Sequence, residues 1–276
     1  MNYCEFSFKT TSVNQCEILI AQLSNLGFEG FEEADAVLKA CIKEEELDRA
    51  AVDAIAAIAA IAKTDYTILV IEQQNWNAVW ESSFEPVVVN KFAAIRASFH
   101  APVKNVQHEI IITPKMSFGT GHHATTYLMM EQMSQIDFKN KTVLDFGTGT
   151  GVLAILANKM GASSVCAIDN DDWSINNAQE NIIANNCSAI QIKKEDTITP
   201  IKQYDIILAN INLNVILQNM QAISGCCMPH TLILLSGFLF SDEVAIKDYL
   251  QKNMLKFISS HRQLDWLCLL ATAAIK

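Results

Sequence analysis

The sequence predicts an α/β protein, in which an open, mostly parallel sheet of seven strands follows a small α+β domain. Two patterns support this prediction. From about residue 139 onward, short apolar segments typical of buried strands alternate with segments whose apolar residues recur at helical spacing. Ahead of them, residues 1–72 follow the element order β-α-β-β-α-β, which is that of a ferredoxin-like domain.

The elements of the first domain follow from their residue patterns. Four segments have the apolar or β-branched character of strands: residues 3–9, 28–33, 36–43 and 65–72. Two have the apolar spacing of helices: residues 14–25 and 44–63. The second helix is expected to begin at Glu44, because an acidic first turn suits the helix dipole.

A polar stretch separates this domain from the rest of the chain. Residues 73–95 are predicted to be a linker with a helix that bears Trp76 and Trp80, which lie four apart and share one face. Residues 96–276 are then the second domain. Its predicted strands are residues 142–146, 164–168, 190–192, 204–209, 231–236, 255–260 and 266–271, introduced by residues 87–89, 93–99 and 109–113. Gly237 is expected to end the strand at 231–236.

Residues 141–169 have the order strand, glycine turn, helix, strand and acid. Gly147, Gly149 and Gly151 alternate after the first strand, and Asp169 stands at the end of the second. Glycines let a ligand approach the main chain where a Cβ would collide. An acid at that strand end can accept both hydroxyls of a ribose. The unit is therefore Rossmann-like, and it is predicted to bind a ligand that contains a ribose.

The glycine spacing distinguishes among such ligands. The dinucleotide fingerprint G-x-G-x-x-G requires a glycine where Val152 stands, so an NAD dehydrogenase is the weakest alternative. No lysine follows the glycines, which excludes a phosphate-binding P-loop. The pattern Asp145-x-Gly147-x-Gly149-x-Gly151 resembles instead the first motif of class I S-adenosylmethionine-dependent methyltransferases.

Other polar residues are expected near this turn. Asp169, Asp196 and Asn210 stand at strand ends, and ligands of open α/β sheets lie outside the carboxyl ends of the strands. Residues 113–126, TPKMSFGTGHHATT, form a glycine-rich loop that leads into an apolar helix. Its His122 and His123 are adjacent and point in different directions, without an acid or cysteine nearby, so no metal site is expected.

Composition limits the classes of function. Half of the 276 residues are hydrophobic, 18% are charged and the net charge is −10, which fits a globular protein and argues against nonspecific nucleic-acid binding. The acidic surface suits a basic partner or simply keeps the protein soluble. Eight cysteines without a CxxC motif are interpreted as reduced thiols. The N-terminus has no signal-peptide pattern and no apolar helix is long enough to span a bilayer, so a cytoplasmic protein without membrane contact is expected.

Taken together, these motifs make the chain similar to the PrmA family, bacterial methyltransferases that modify large-subunit ribosomal protein eleven. The resemblance covers nearly the whole chain, and its specific part is the FGTGHH-x-TT loop just ahead of the glycine turn. It implies S-adenosylmethionine as cofactor. It also implies that the acceptors are lysine ε-amines and the N-terminal α-amine of the ribosomal protein, free or on the ribosome. The first domain would recognise that protein, and the linker would let this domain reposition. A monomer is expected.

The resemblance also implies which residues bind the cofactor: Thr126, Asp145, Gly147, Gly149, Asp169, Asp196 and Asn210. Asp169 would hold the ribose and Asp196 would lie near the adenine edge. Lys115 departs from the family pattern, which commonly has glycine there.

The acceptor amine must be neutral and in line with the methyl–sulfur bond, so positioning is the main catalytic contribution. No dedicated base is apparent, and His122, His123 and Asn210 are candidates to orient the amine. Two alternatives stay open. One is methylation of another protein or of a nucleic-acid amine, although enzymes for planar amines resemble one another in an Asn/Asp-Pro-Pro-aromatic motif where residues 210–213 read NINL. The other is a nonenzymatic ribosome-binding module that retains a cofactor site.

Overall fold

The computed structural model describes residues 2–71, 84–115, 119–200 and 202–274. The chain divides into two compact units, Met1–Val79 and Trp80–Lys276. The predicted linker helix with Trp76 and Trp80 lies outside the described residues. None of the helices in the described part of the chain combines the length and the apolar composition needed to cross a bilayer.

The first unit has the predicted ferredoxin-like fold. Its elements are β1 (Tyr3–Lys9), α1 (Val13–Ser24), β2 (Glu29–Ala34), β3 (Val37–Lys43), α2 (Arg49–Ala62) and β4 (Tyr66–Ile71). The strands form an antiparallel sheet in the order β2-β3-β1-β4. Alternate residues of β1, including Phe6 and Phe8, are fully buried in a core with Leu19, Leu23 and Ile55 of the helices. One sheet face is therefore covered by both helices.

The start of α2 differs from its prediction. Glu44–Glu46 form a separate 3-10 turn, and the α-helix begins only at Arg49. The carboxylate of Asp48 accepts a hydrogen bond from the backbone N–H of Ala51 at 2.8 Å. Such an N-cap stabilises a helix start by about 1 kcal/mol, more than a typical exposed charge gains from the helix dipole. The cap therefore sets the helix start, and the acidic residues lie before it.

The last strand of the first unit lies at the edge of its sheet. Among the described residues β4 pairs only with β1. Four consecutive aliphatic side chains on it, those of Ile68, Leu69, Val70 and Ile71, are 41–61% exposed. The unit is also strongly acidic: residues 1–79 contain thirteen Asp and Glu against five Lys and Arg, so its formal charge is −8.

The second unit begins with a small sheet of its own. Its strands are β5 (Val87–Val89), β6 (Ala93–Ala97) and β7 (His108–Ile112), in which β6 pairs antiparallel with β5 and parallel with β7. Phe84 and Val89 are buried in the same core as residues of the following helices. Residues 84–95, predicted as linker, thus belong to the packed core of the second unit, because they pair and pack within this sheet.

The main sheet has the predicted seven strands. They are β8 (Thr142–Phe146), β9 (Ser164–Asp169), β10 (Ile190–Lys194), β11 (Tyr204–Asn210), β12 (Cys227–Leu239), β13 (Leu255–Gln263) and β14 (Trp266–Ala273). Their order is β10-β9-β8-β11-β12-β14-β13. The strands from β10 to β12 are parallel, and β14 runs antiparallel to both of its neighbours. This arrangement confirms the open, mostly parallel, Rossmann-like sheet.

Helices cover both faces of this sheet. α3 (Ala124–Met133), α4 (Val152–Lys159) and α5 (Asp172–Ala184) share one hydrophobic core with Val143 and Val165. α6 (Leu213–Gly225) and α7 (Glu243–Lys252) pack in a second core with Leu144 and Cys166. Because neighbouring strand residues point to opposite faces, these two cores lie on the two sides of the sheet.

Strand β12 continues past Gly237, where the sequence predicted its end. Its pairing with β14 shifts register between Ser236 and Phe238, which is a β-bulge, and Gly237 has a φ of +96°. A Cβ at Gly237 would overlap the backbone of Ile211. The glycine is therefore required for the close approach of two chain segments, and the bulge lets the strand continue beyond it.

Candidate functional site

A cavity of about 480 Å³ lies along the carboxyl edge of the main sheet, a volume typical of ligand pockets. Its lining follows the strand order. In that order, it includes Asp196 after β10, Asp169 in β9, Gly147 after β8, Asn210 in β11, Gly237 in β12 and Trp266 in β14. Separate strand ends thus converge on one cavity, as the sequence predicted for Asp169, Asp196 and Asn210.

The glycine turn is held by both the sheet and its neighbours. The backbone N–H groups of Gly147 and Thr148 donate to the carbonyl oxygen of Ile168 at 2.9 and 3.0 Å. Gly147 has a φ of +75°, and a Cβ on it would overlap the Ile211 side chain. Glycine is thus required at position 147 by the packing of the chain itself, in addition to any ligand. Gly147 and Gly149 both line the cavity.

Asp145 lies beneath this turn and is only 1% exposed. Its Oδ2 accepts hydrogen bonds from the Thr148 hydroxyl at 2.6 Å and from the Ala154 N–H at 3.2 Å, while its Oδ1 has no partner among the described residues. Burial raises the pKa of Asp145 to about 7. Asp145 is not among the residues that line the cavity. Its contacts indicate that it supports the turn, and contact with the cofactor stays a prediction.

Asp169 is anchored and also faces the cavity. Its Oδ2 accepts from the Gly149 N–H at 2.9 Å, and its Oδ1 accepts from the Asp171 N–H at 3.1 Å. Each carboxylate oxygen can accept a further hydrogen bond. The side chain is therefore fixed in orientation and retains acceptor capacity for a diol.

Thr126 and Asn210 meet behind the turn. The Asn210 amide donates to the Thr126 hydroxyl at 3.2 Å, and both residues are at least 95% buried. Within the described residues, Asn210 Oδ1 has no hydrogen-bond partner. The two residues line a narrow gap beside Gly147. A buried acceptor without a partner next to a cavity indicates a place for a ligand donor.

The two adjacent histidines contact different surroundings. The His122 ring packs edge-on against Phe84 at 4.8 Å, whereas His123 packs against Trp266 at 4.5 Å and lines the cavity. His123 Nδ1 caps α3 by accepting from the Thr125 N–H at 3.3 Å, and burial lowers the pKa of this imidazole. His123 is therefore neutral near pH 7, with its proton on Nε2 when Nδ1 accepts. The cavity thus has carboxylates at its β9–β10 end and an imidazole–indole pair at its β14 end.

Comparison with known proteins agrees with the family that these motifs indicate. The family model described as "Ribosomal protein L11 methyltransferase (PrmA)" matches residues 9–274. The chain belongs to the PrmA family. It is 35% identical over 273 residues to the ribosomal protein L11 methyltransferase of Phocaeicola vulgatus, covering 96% of this chain and 97% of that protein. It is 37% identical over 278 residues to the protein of the same name from Chlorobaculum parvum, with 96% and 95% covered.

A solved structure gives the same relationship. The crystal structure of a ribosomal protein L11 methylase from Lactobacillus delbrueckii subsp. bulgaricus aligns with a TM-score of 0.64 at 28% identity. The alignment covers 69% of this chain and 99% of that chain. As a PrmA-family member, the chain is an S-adenosylmethionine-dependent methyltransferase.

Some features of this PrmA-family site were missed from the sequence. The sequence pattern predicts Trp266 only as the first residue of the strand at 266–271. Its place in the cavity depends on β14 running antiparallel, which brings the first residue of that strand to the carboxyl edge of the others. Three buried asparagines of α5 and its C-cap, Asn177, Asn181 and Asn185, were also missed. Their signal was present, because asparagine recurring every four residues is unusual in a helix.

Proposed function

We propose that this protein transfers methyl groups from S-adenosylmethionine to lysine ε-amines and the N-terminal α-amine of ribosomal protein L11. The main support is the cavity at the sheet edge, in which Asp169, the glycine turn and Asn210 of the family motifs converge. Membership of a family of L11 methyltransferases supplies the substrate.

The cofactor fits the donors and acceptors of this cavity. Asp169 has the remaining acceptor capacity for the two ribose hydroxyls, and Asp196 lies beside it at the next strand end, where the adenine would be held. Gly147 and Gly149 let the cofactor lie against the main chain. The Oδ1 of Asn210 has no hydrogen-bond partner among the described residues and lies beside Thr126, so it suits the ammonium group of the amino-acid end. When bound, S-adenosylmethionine supplies an electrophilic methyl group on a positively charged sulfur.

The β12–β14 end of the cavity remains for the acceptor amine. Neighbouring strands lie about 4.8 Å apart, so the four spacings from β9 to β14 span roughly 19 Å. With the ribose at Asp169, the end formed by His123 and Trp266 remains for the substrate. The indole offers an apolar wall for the methylene stem of a lysine, and removal of that amine from water favours its neutral form. His123 holds the indole edge-on, and we assign no general base.

The first unit is proposed to recognise the ribosomal protein. A ribosomal protein binds RNA and presents basic surface, and the charge of −8 on residues 1–79 complements it. In this proposal residues 1–72 dock the substrate, the part of the predicted linker ahead of residue 84 connects the two units, and the cofactor residues all lie in the second unit.

Intact-mass analysis tests the proposal. Purified L11, incubated with the protein and S-adenosylmethionine, should gain several methyl groups, and peptide mapping should place them on lysines and the N-terminus. Ribosomal RNA in the same assay should gain none. Methyl groups on the RNA alone would favour the nucleic-acid alternative. Cofactor binding without methylation of L11 would favour a nonenzymatic ribosome-binding module.

A further inference from the structure

Three side chains along one face of α5 hold the start of the loop that leads into α3. Asn177, Asn181 and the C-cap residue Asn185 are spaced four apart and are 0%, 0% and 8% exposed. We refer to these three residues as the asparagine ladder. Burial of a side-chain amide costs folding free energy unless the amide is hydrogen-bonded. The hydrogen-bond partners of these residues therefore indicate what the ladder does.

The ladder binds the backbone at and after the free edge of β7. Asn185 accepts from the Ile111 N–H at 3.0 Å and donates to the carbonyl oxygen of the same residue at 2.6 Å. Asn181 Oδ1 accepts from the Thr113 N–H at 2.8 Å, and the Asn177 amide donates to the Thr113 carbonyl oxygen at 3.2 Å. Within the described residues β7 pairs with β6 alone. Side-chain amides thus take the place that a further strand would have on that edge.

Asn181 also reaches the glycine turn. Its Nδ2 donates to the Thr150 carbonyl oxygen at 2.8 Å. The hydroxyl of Thr150, a fully buried residue, donates to the Gly119 carbonyl oxygen at 2.7 Å. Asn181 therefore joins the turn to the start of the loop at Thr113, and Thr150 joins it to Gly119 further along. A Cβ on Gly119 would lie 2.9 Å from the Thr150 hydroxyl oxygen, so the two segments are in close contact.

Lys115 belongs to the same loop and pairs with α5. Its Nζ lies 2.7 Å from a carboxylate oxygen of Glu180, and the two side chains are 28% and 49% exposed. Exposed ion pairs contribute roughly 0–1 kcal/mol, so the buried amides and the hydroxyl dominate. The pair gives a local role to the lysine that stands where the family commonly has glycine.

We propose that Thr150 and Asn181 are positioning residues, which clamp Thr113 and Gly119 onto the glycine turn and so fix the narrow gap that Thr126 and Asn210 line. Gly119, Thr150, Thr126 and Asn210 line that gap together. The inference rests on the proposed function, because this gap is where the amino-acid end of the cofactor would bind. A loop released from the turn would leave Thr126 and Asn210 free to move apart before the cofactor arrives.

Substitutions at Thr150 test the clamp with little change of shape. Thr150→Val removes the hydroxyl and keeps the branched side chain, whereas Thr150→Ser keeps the hydroxyl. Calorimetry with S-adenosylmethionine should show the dissociation constant rising about five- to tenfold in Thr150→Val, as expected for one lost hydrogen bond, and staying within twofold in Thr150→Ser. In methylation assays, KM for the cofactor should rise in Thr150→Val while kcat at saturating cofactor is retained.

The ladder itself provides a matched pair. Asn181→Ala loses the bond to the turn, while Asn185→Ala loses only bonds to Ile111 and to the helix backbone. Both variants should melt at lower temperature, but only Asn181→Ala should bind the cofactor at least tenfold more weakly. Equal weakening in both would mean that the asparagines act through stability alone, which overturns the clamp. Unchanged affinity in Thr150→Val and Asn181→Ala would also overturn it. Failure of the unmodified protein to bind would instead refute the proposed cofactor site.

Discussion

At the scale of single residues, the buried carboxyl group of Asp145 links stability to pH. Burial raises its pKa in the folded protein to about 7, above the ordinary value of 3.8. A raised pKa in the folded state means that the folded protein binds the proton more tightly than the unfolded chain. The contribution of this group to stability is therefore complete below about pH 4 and is lost as pH rises through 7.

Asp145→Asn should remove this pH dependence. The free energy of unfolding is measured with urea at pH values from about 4.5 to 8. Over this range it should decrease in the unmodified protein, and the decrease should be about 2–4 kcal/mol smaller in the variant. Asp248→Asn, at an exposed position of α7, serves as control and should leave the profile unchanged. Parallel profiles for Asp145→Asn and the unmodified protein would show that Asp145 is ionised throughout.

Asp169 is expected to matter for ligand affinity. Asp169→Ala would remove two charge-assisted hydrogen bonds to the ribose, which corresponds to about 2–4 kcal/mol of cofactor binding free energy. The substitution would also remove the hydrogen bond that the Gly149 N–H donates to Asp169. Calorimetry with S-adenosylmethionine measures the change, and circular dichroism checks that the variant is folded. An unchanged dissociation constant in a folded variant would mean that the ribose is held elsewhere.

At the scale of secondary-structure elements, the bulge in β12 and the end of β11 depend on each other. Gly237→Ala should destabilise the protein by about 2–4 kcal/mol, because the new Cβ would overlap the Ile211 backbone and the residue has a positive φ. Gly30→Ala is the matched control: its φ of +73° is similarly positive, yet a Cβ there has no neighbour within 4 Å. Urea denaturation compares them. A similar loss of unfolding free energy in both variants would mean that the positive φ, and not the overlap with Ile211, causes the destabilisation.

These elements also show what local sequence can and cannot predict. The strands and helices around the glycine turn were predicted because apolar spacing and glycine are local signals. The role of Gly237 depends on Ile211, which lies far away in sequence. The residues around Gly237 alone therefore predict an ordinary strand end. The start of α2 was misplaced because acidic residues at 44–46 and the N-cap at Asp48 are competing local signals, and only the structure shows which one prevails.

At the scale of the whole molecule, the two units have separate hydrophobic cores. The buried cluster of the first unit contains residues up to Ala59, and the clusters of the second unit begin at Phe84. A protein lacking residues 1–72 should therefore bind S-adenosylmethionine with unchanged affinity but lose methylation of L11, since tethering of a docked substrate raises its effective concentration by about 10²-fold or more. Mass spectrometry of L11 decides this: full multi-site methylation by the truncated protein would contradict a recognition role for the first unit.

The site could be predicted in part at this scale. Asp169, Asp196 and Asn210 were placed at one edge because the carboxyl ends of parallel strands share it. The asparagine ladder could not be placed, because its partners are backbone groups of β7 and the turn, and these come together only through the order of the strands.

The exposed edge of β4 has a consequence for handling the isolated first unit. Among the described residues one edge of β4 has no neighbouring strand, and a strand edge with four exposed aliphatic side chains can pair with a second copy of itself, which leads to aggregation. The charge of −8 opposes such pairing by repulsion between copies. At an ionic strength of 0.1 M, salt limits the range of that repulsion to about 10 Å. The isolated unit should therefore be monodisperse at low ionic strength and self-associate as salt is added.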